Sequence, residues 1–136
     1  MDGSDATGQC LCGAVTFRIE GAFESFFLCH CSRCRKDTGS AHAANLFSSS
    51  AVITWLSGGD RVRTYRLPET RHVSSFCTDC GSALPVAGPN GAVLKVPAGS
   101  LDSPVALRPN AHICLSSRAN WDDDLASVEG LDGLPG

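Results

Sequence analysis

The sequence has few charged residues and lacks long runs of either basic or apolar side chains. Charged residues make up 18% of its 136 residues, and the formal net charge is −3. Its densest basic group consists only of Arg33, Arg35 and Lys36, which is too small to hold a nucleic acid or an anionic membrane. No apolar run approaches the roughly 20 residues that a membrane-spanning helix needs. We therefore expect neither a nucleic-acid partner nor a membrane partner.

The first ten residues also lack the features of a targeting segment. They read MDGSDATGQC, which is polar and acidic, whereas signal and transit peptides are basic and partly apolar. We therefore expect a protein of the reducing cytoplasm, in which disulfides are rare. Because no repeat, linker or low-complexity block interrupts the sequence, it predicts a single zinc-binding domain over residues 1–136. Its core would span about 8–121, followed by a loosely held acidic tail over 122–136.

Cysteine is the residue type in which this sequence is rich. There are eight cysteines, and all but Cys114 fall into three short groups. The groups are CLC at residues 10–12, CHCSRC at 29–34 and CTDC at 77–80. Since disulfides are not expected in the cytoplasm, this grouping indicates metal binding rather than cross-linking.

Short stretches in which apolar and polar residues alternate predict a mainly β protein. Residues 15–20 show the alternation that is typical of a half-buried strand. Glycines and prolines supply turns between the strands. One short helix is predicted over 32–38, with Ser32 as its N-terminal cap and Gly39 ending it in the left-handed conformation. Further strands are predicted over 25–28, 42–47, 51–55, 62–66, 72–76, 92–96 and 111–115.

The CLC and CTDC groups form a matched pair, because in each group two cysteines lie on a tight turn that a glycine follows. Glycine adopts positive φ without strain, so such a turn can direct its N–H groups at the sulfur atoms. Two such turns supply the four thiolates of a closed, structural zinc site that joins distant strands. The alternative is four independent buried cysteines. The predicted ligands are Cys10, Cys12, Cys77 and Cys80.

The CHCSRC group has three cysteines and no obvious fourth ligand nearby. The spacing of Cys31 and Cys34 places both thiols on one side of the first helical turn, and Cys29 comes just before that turn. Three thiolates leave a fourth position for water or substrate, as catalytic zinc sites require. We therefore predict a second zinc ion, in an open site.

A closed site remains the alternative for these three cysteines. The candidates for a fourth ligand are His30, His42, His112 and Cys114. His30 is the poorest of them, because its neighbours in sequence already chelate. We expect His42 and His72 to be structural, hydrogen-bonded residues, and His112 to be the one histidine that lines the site.

Three motifs of this sequence resemble the glutathione-dependent formaldehyde-activating enzyme family. They are C-x-C-G-x-V-x-F at residues 10–17, C-H-C-x-x-C-R-x-x-x-G-S at 29–40 and F-C-x-x-C-G-S-x-L at 76–84. The similarity continues through residues 98–102 and 109–113 to Trp121. It therefore covers nearly the whole chain, and centromere protein V looks similar over the same motifs.

The resemblance implies a single-domain β-tent fold that contains one structural and one catalytic zinc ion. The implied activity is that of a carbon–sulfur lyase, which joins glutathione to formaldehyde as S-hydroxymethylglutathione. Zinc lowers the pKa of a bound thiol and can polarise a carbonyl group, so no separate nucleophilic side chain is needed. The implied structural ligands are Cys10, Cys12, Cys77 and Cys80, and the implied catalytic ligands are Cys29, Cys31 and Cys34.

Cys114 is the residue on which a rival interpretation depends. The segment 112–117, HICLSS, faintly resembles the catalytic strand of B-type methionine sulfoxide reductases, which also hold zinc by two cysteine pairs. That interpretation leaves the CHCSRC group unexplained, and the simpler expectation is that Cys114 is a small buried apolar residue. A zinc-stabilised binding module without catalysis is the remaining alternative.

Overall fold

The structure is a computed structural model, and it describes residues 5–88 and 93–136. In this part of the chain, ten strands form three small sheets, and a single α-helix, α1 (Ser32–Thr38), follows the third strand. The predicted mainly β fold with one short helical turn is confirmed. The strands are β1 (Ala6–Gln9), β2 (Thr16–Glu20), β3 (Ser25–Cys29), β4 (Ala43–Ser48), β5 (Val52–Ser57), β6 (Val62–Arg66), β7 (Val73–Cys77), β8 (Ala83–Leu84), β9 (Leu94–Pro97) and β10 (Ala111–Ile113).

The three sheets combine strands that are far apart in the sequence. Their strand orders are β1-β2-β5, β10-β3-β4-β9 and β6-β7-β8. Strands β3 and β4 pair antiparallel, whereas β10 joins the outer side of β3 in a parallel pair, with Ile113 opposite Cys29. The four-stranded sheet therefore brings the end of β10 beside the cysteine group that follows β3.

The alternation in the sequence located eight of these strands to within about two residues. The prediction for 62–66 matches β6, whereas the strand predicted over 111–115 ends earlier, at Ile113. It ends there because Cys114 takes the left-handed conformation, with φ of 59°. The strand predicted over 92–96 is β9, although its first predicted residue, Ala92, lies outside the described residues.

Strand β1 was not indicated by the sequence, because the residues on its buried side are small. Ala6 and Gly8 are buried, and Thr7 and Gln9 are exposed. A Cβ atom at Gly8 would lie 2.4 Å from the Phe17 ring and 2.4 Å from the Ser100 carbonyl oxygen. Glycine thus lets β1 approach β2 closely, as strand glycines often do. The short β8 was also not predicted.

Helix α1 begins and ends as the sequence predicts, but its cap is a cysteine. Cys31 is the N-cap residue, and its Sγ accepts a hydrogen bond from the Cys34 N–H at 3.4 Å. The prediction that Ser32 is the cap is wrong, because Ser32 is already the first helical residue. Gly39 ends the helix in the left-handed conformation, as predicted, and its N–H donates to the Arg35 carbonyl oxygen at 2.8 Å.

The buried faces of the three sheets meet in one hydrophobic core. Phe17, Leu46, Leu84 and Val96, from four different strands, are almost fully buried in it. Burying side chains of this size stabilises the fold by roughly 1.5–3 kcal/mol each. Within residues 5–88 and 93–136 there is no helix with the length and apolarity to cross a bilayer.

Candidate metal centres

Four cysteines converge where the β1–β2 turn meets the β7–β8 turn. The ligand atoms of Cys10, Cys12, Cys77 and Cys80 all lie within 4.8 Å of one another. The Sγ–Sγ distance is 3.6 Å between Cys10 and Cys12 and 4.0 Å between Cys12 and Cys77. Sulfur atoms at about 2.3 Å from a tetrahedral zinc ion would be about 3.8 Å apart. This donor set therefore fits zinc, whereas a disulfide would need an S–S distance of about 2.05 Å.

Each of these two turns depends on the glycine that follows its second cysteine. Gly13 has φ of 81° and Gly81 has φ of 77°, values at which any residue with a Cβ atom would be strained. The Gly13 N–H donates to the carbonyl oxygen of Cys10 at 3.1 Å, and the Gly81 N–H donates to that of Cys77 at 2.7 Å. The predicted positive φ after each cysteine pair is confirmed.

Backbone N–H groups point at the sulfur atoms of this centre. The Val15 N–H donates to Cys10 Sγ at 3.3 Å, and the Asp79 N–H donates to Cys77 Sγ at 3.4 Å. Such hydrogen bonds stabilise negative charge on sulfur and orient the ligands of a metal. The loops are therefore arranged to present thiolates.

Ser82 links the two turns, a role that the sequence reasoning missed. Its Oγ accepts a hydrogen bond from the Leu11 N–H at 2.9 Å and lies 3.4 Å from Cys80 Sγ. Hydrogen bonds with the side chain and the backbone of Ser82, followed by those with Cys12, lower the pKa of Cys80 to about 6. In the sequence, the feature that could have indicated this contact is the serine that follows Cys80 and Gly81 in the C-G-S motif.

The other three clustered cysteines meet at the N-terminus of α1. The ligand atoms of Cys29, Cys31 and Cys34 lie within 4.8 Å of one another, and no fourth histidine, cysteine or acidic ligand atom of the described residues joins them. Burial raises the pKa of the Cys34 thiol, and the neighbouring Cys29 and Cys31 raise it further. Three thiolates this close repel one another unless a cation lies between them. This donor set therefore also fits a metal ion.

The histidines that were considered as a fourth ligand form a separate cluster. His30 is 2% exposed, and its Nε2 lies 2.9 Å from Nδ1 of His112. His30 Nδ1 lies 2.8 Å from a carboxylate oxygen of Asp122, within ion-pair distance, although this contact lacks the angle of a hydrogen bond and neither atom has another hydrogen-bond partner among the described residues. The ring of His42 lies 5.0 Å from that of His30. Both ring nitrogens of His30 are thus engaged away from the cysteines, and Asp122 attaches the start of the tail to the core.

Cys114 belongs to neither cysteine group. It is exposed, and no metal-ligand group of the described residues includes it. The expectation that it is a buried apolar residue is wrong, because the chain leaves the sheet after Ile113 and turns at Cys114.

We expect Cys114→Ser to leave the zinc content and the thermal stability of the protein unchanged, within about 0.5 kcal/mol of unfolding free energy. The substitution preserves side-chain size at an exposed position and removes only the sulfur. Metal analysis and thermal unfolding of the variant beside the unaltered protein would check this. Loss of a zinc ion would make Cys114 a ligand and the three-cysteine site a closed one.

A small chamber lies next to the three-cysteine site, between α1 and strands β4, β7, β8 and β9. Its wall includes Cys34, Asp37, His72 and Lys95. His72 Nε2 lies 3.1 Å from a carboxylate oxygen of Asp37, so His72 is paired, as the sequence predicts. Lys95 is a residue that the sequence reasoning missed, because a polar residue within a strand ordinarily faces water.

An outer groove adjoins this chamber on the surface beside α1. It has a volume of about 310 Å³ and shares Asp37 and His72 with the chamber. Arg33, Lys36 and Tyr65 also line it. The groove therefore presents two cations and an aromatic side chain close to the three-cysteine site.

A family model and a curated relative, each matching more than four fifths of the chain, indicate one family. Residues 5–117 match the family model described as glutathione-dependent formaldehyde-activating enzyme. A protein of Halomonas elongata, provisionally named as such an enzyme, is 33% identical over 124 residues, covering 84% of this chain and 77% of its own length. A crystal structure of a Rhodobacter sphaeroides protein is similar, with a TM-score of 0.57 and 25% identity. That similarity covers 78% of this chain and 98% of the other.

Proposed function

Because the chain belongs to the glutathione-dependent formaldehyde-activating enzyme family, we propose that it is a zinc-dependent carbon–sulfur lyase. Its substrates would be a thiol such as glutathione and a small aldehyde such as formaldehyde, joined as S-hydroxymethylglutathione. The observation that carries this proposal is the three-cysteine group. It has no fourth ligand atom among the described residues and lies beside a chamber.

The two cysteine groups would have different tasks. The four-cysteine group would hold a structural zinc ion, because four thiolates fill a tetrahedral shell. The three-cysteine group would hold the catalytic one. Zinc at this second position would supply a Lewis acid that favours a thiolate and polarises a carbonyl oxygen. The structural ligands would be Cys10, Cys12, Cys77 and Cys80, and the catalytic ligands Cys29, Cys31 and Cys34.

The outer groove is suited to the anionic part of the thiol substrate. Arg33 and Lys36 would attract the carboxylates of glutathione and orient them beside α1. In the forward reaction the thiol sulfur adds to the carbonyl carbon, a C–S bond forms, and the carbonyl oxygen gains the proton that the thiol loses. The reverse reaction breaks the same bond, so neither direction needs an oxidant or a reductant.

A thiol reductase that uses Cys114 has less support. Cys114 is exposed and lies in neither cysteine group, so it has no resolving partner among the clustered thiols. A binding module without catalysis would still need the four-cysteine group for stability, and the experiment below distinguishes it from an enzyme.

We expect protein purified without chelator to contain about two zinc ions per chain, one for each cysteine group. It should also accelerate the exchange between glutathione plus formaldehyde and their adduct. Elemental analysis gives the zinc content, and NMR exchange spectroscopy at equilibrium gives the rate above the spontaneous background. Heat-denatured protein is the control for the background rate.

Two results would contradict the proposal. One zinc ion per chain, together with alkylation of all three cysteines of the second group, would remove the catalytic site. Two zinc ions without any acceleration of the exchange would favour a binding module.

A further inference from the structure

Lys95 is a partly buried cation that faces the chamber beside Cys34. It lies on β9 between the buried Leu94 and Val96, and its side chain forms part of the chamber wall. Its Nζ donates a hydrogen bond to the carbonyl oxygen of Val73. Among residues 5–88 and 93–136, no carboxylate lies within ion-pair distance of this nitrogen. An ammonium group has three donors, so two remain for a ligand.

Several other polar side chains of the chamber wall are already paired. Asp37 contacts His72 at 3.1 Å, and the Ser75 hydroxyl is 2.8 Å from that of Thr64 across the β6–β7 pair. A cation without a carboxylate partner in a partly desolvated wall attracts an acceptor that carries negative charge. Lys95 is therefore the chamber group best placed to bind an oxygen that becomes negative during a reaction.

The chamber is small, which limits what can occupy it. Its volume is about 70 Å³, and a single water needs roughly 10–15 Å³ on the same measure. Its apolar wall includes three alanines and three larger residues, namely Ala43, Ala44, Ala83, Leu84, Val86 and Pro97. A short aldehyde fits this space, whereas a tripeptide thiol does not and would lie in the outer groove, with only its sulfur near Cys34.

We propose that Lys95 binds the aldehyde oxygen in this chamber and that the chamber admits only short aldehydes. The proposal rests on the proposed function. As the thiol sulfur bonds to the carbonyl carbon, the carbonyl π pair moves to the oxygen, which then accepts a hydrogen bond from Lys95 Nζ. The proton lost by the thiol finally resides on this oxygen. A preorganised donor at such a position acts mainly on the transition state.

The first test is the turnover of Lys95→Met, measured on the zinc-loaded full chain. Methionine keeps the length of the side chain and removes its charge, so we expect turnover with formaldehyde to fall roughly 10²-fold or more. Zinc content should remain that of the unaltered protein, and the lost hydrogen bond to Val73 should lower the unfolding free energy by no more than about 1–3 kcal/mol. Arg108→Met, which removes an exposed cation in the segment before β10, is the matched control and should retain full turnover. Turnover of Lys95→Met within about threefold of the unaltered protein would overturn the proposal.

The second test measures binding without turnover and uses formate as the probe. By calorimetry, formate should bind the zinc-loaded protein at least roughly tenfold more tightly than it binds Lys95→Met. Equal formate affinity in both proteins overturns the assignment of Lys95, whatever happens to turnover. If the unaltered protein shows no thiol–aldehyde turnover but formate binding depends on Lys95, the oxygen-binding site stands and the proposed reaction fails. Should Lys95→Met not fold, Lys95→Gln serves the same comparison.

A series of aldehydes tests the size limit on the unaltered protein. Short aldehydes from formaldehyde to butyraldehyde should be accelerated, and acceleration should fall steeply for larger ones such as benzaldehyde, because about 70 Å³ holds about five to seven water-sized positions. Equal acceleration along the series would overturn the limit.

Discussion

Cys80→Ser is expected to give a protein that is unfolded or insoluble under conditions in which the unaltered chain is stable. Cys80 lies in the four-cysteine group, which joins the β1–β2 turn to the β7–β8 turn, with Cys12 and Cys77 65 residues apart. Because such a site does not exist in the unfolded chain, metal-binding free energy is folding free energy, about 10–16 kcal/mol in small zinc domains. A domain of this size has a net stability of only about 5–15 kcal/mol. Losing most of the zinc contribution would therefore exceed the available stability.

Thermal unfolding followed by circular dichroism, together with zinc analysis, would measure this effect. Cys114→Ser is the matched control, since it makes the same chemical change at an exposed cysteine outside both groups. A Cys80→Ser protein with an unchanged melting temperature and the full zinc content would show that the four-cysteine group does not stabilise the fold through metal.

Cys34→Ser is expected to fold, to lose the zinc ion of the second site, and to show turnover close to the spontaneous rate. The three-cysteine group is local, because Cys29 and Cys34 are joined by a short segment at the start of α1. Closing so short a loop costs little chain entropy, so its metal adds less to the global fold than the metal between distant turns. Cys34 is buried, and replacing it should cost about 1–3 kcal/mol of unfolding free energy.

The comparison of Cys34→Ser with Cys80→Ser separates the two roles. Thermal stability, zinc content and exchange rate would be measured for both variants in parallel. If the two proteins collapse equally, the three-cysteine group is structural as well. A folded Cys34→Ser protein with undiminished exchange would remove this site from the chemistry.

The local features of this protein could be read from its sequence because they depend on neighbouring residues. The three-residue spacing of Cys31 and Cys34 sets their positions on one helical turn. The left-handed glycines after the two cysteine pairs follow from the turn that each pair occupies. Strand β2 was located to within one residue because Phe17 and Ile19 are buried and alternate with the exposed Arg18 and Glu20, the period of two of a half-buried strand.

The chain pairings were decided only by the tertiary structure. The Sγ atoms of Cys12 and Cys77 lie 4.0 Å apart, and this contact depends on how the three sheets pack. The matched cysteine motifs had made the pairing a reasonable hypothesis. Strand β1 exists because Gly8 fits against the Phe17 ring, a contact without any periodic signal. The exposure of Cys114 depends on where β10 ends.

The surroundings of the candidate sites are the part that only the tertiary structure could decide. Asp122 reaches His30 across 92 positions of sequence, and His112 reaches it because β10 lies beside β3. Strand β9 pairs with β4 at the edge of the four-stranded sheet, and this position brings Lys95 to the wall of the chamber. The residues in these contacts are far apart along the chain, so their spacing in the sequence does not indicate that they meet. The sequence by itself determined which residues could bind metal, and the packing of the sheets decided which other side chains surround them.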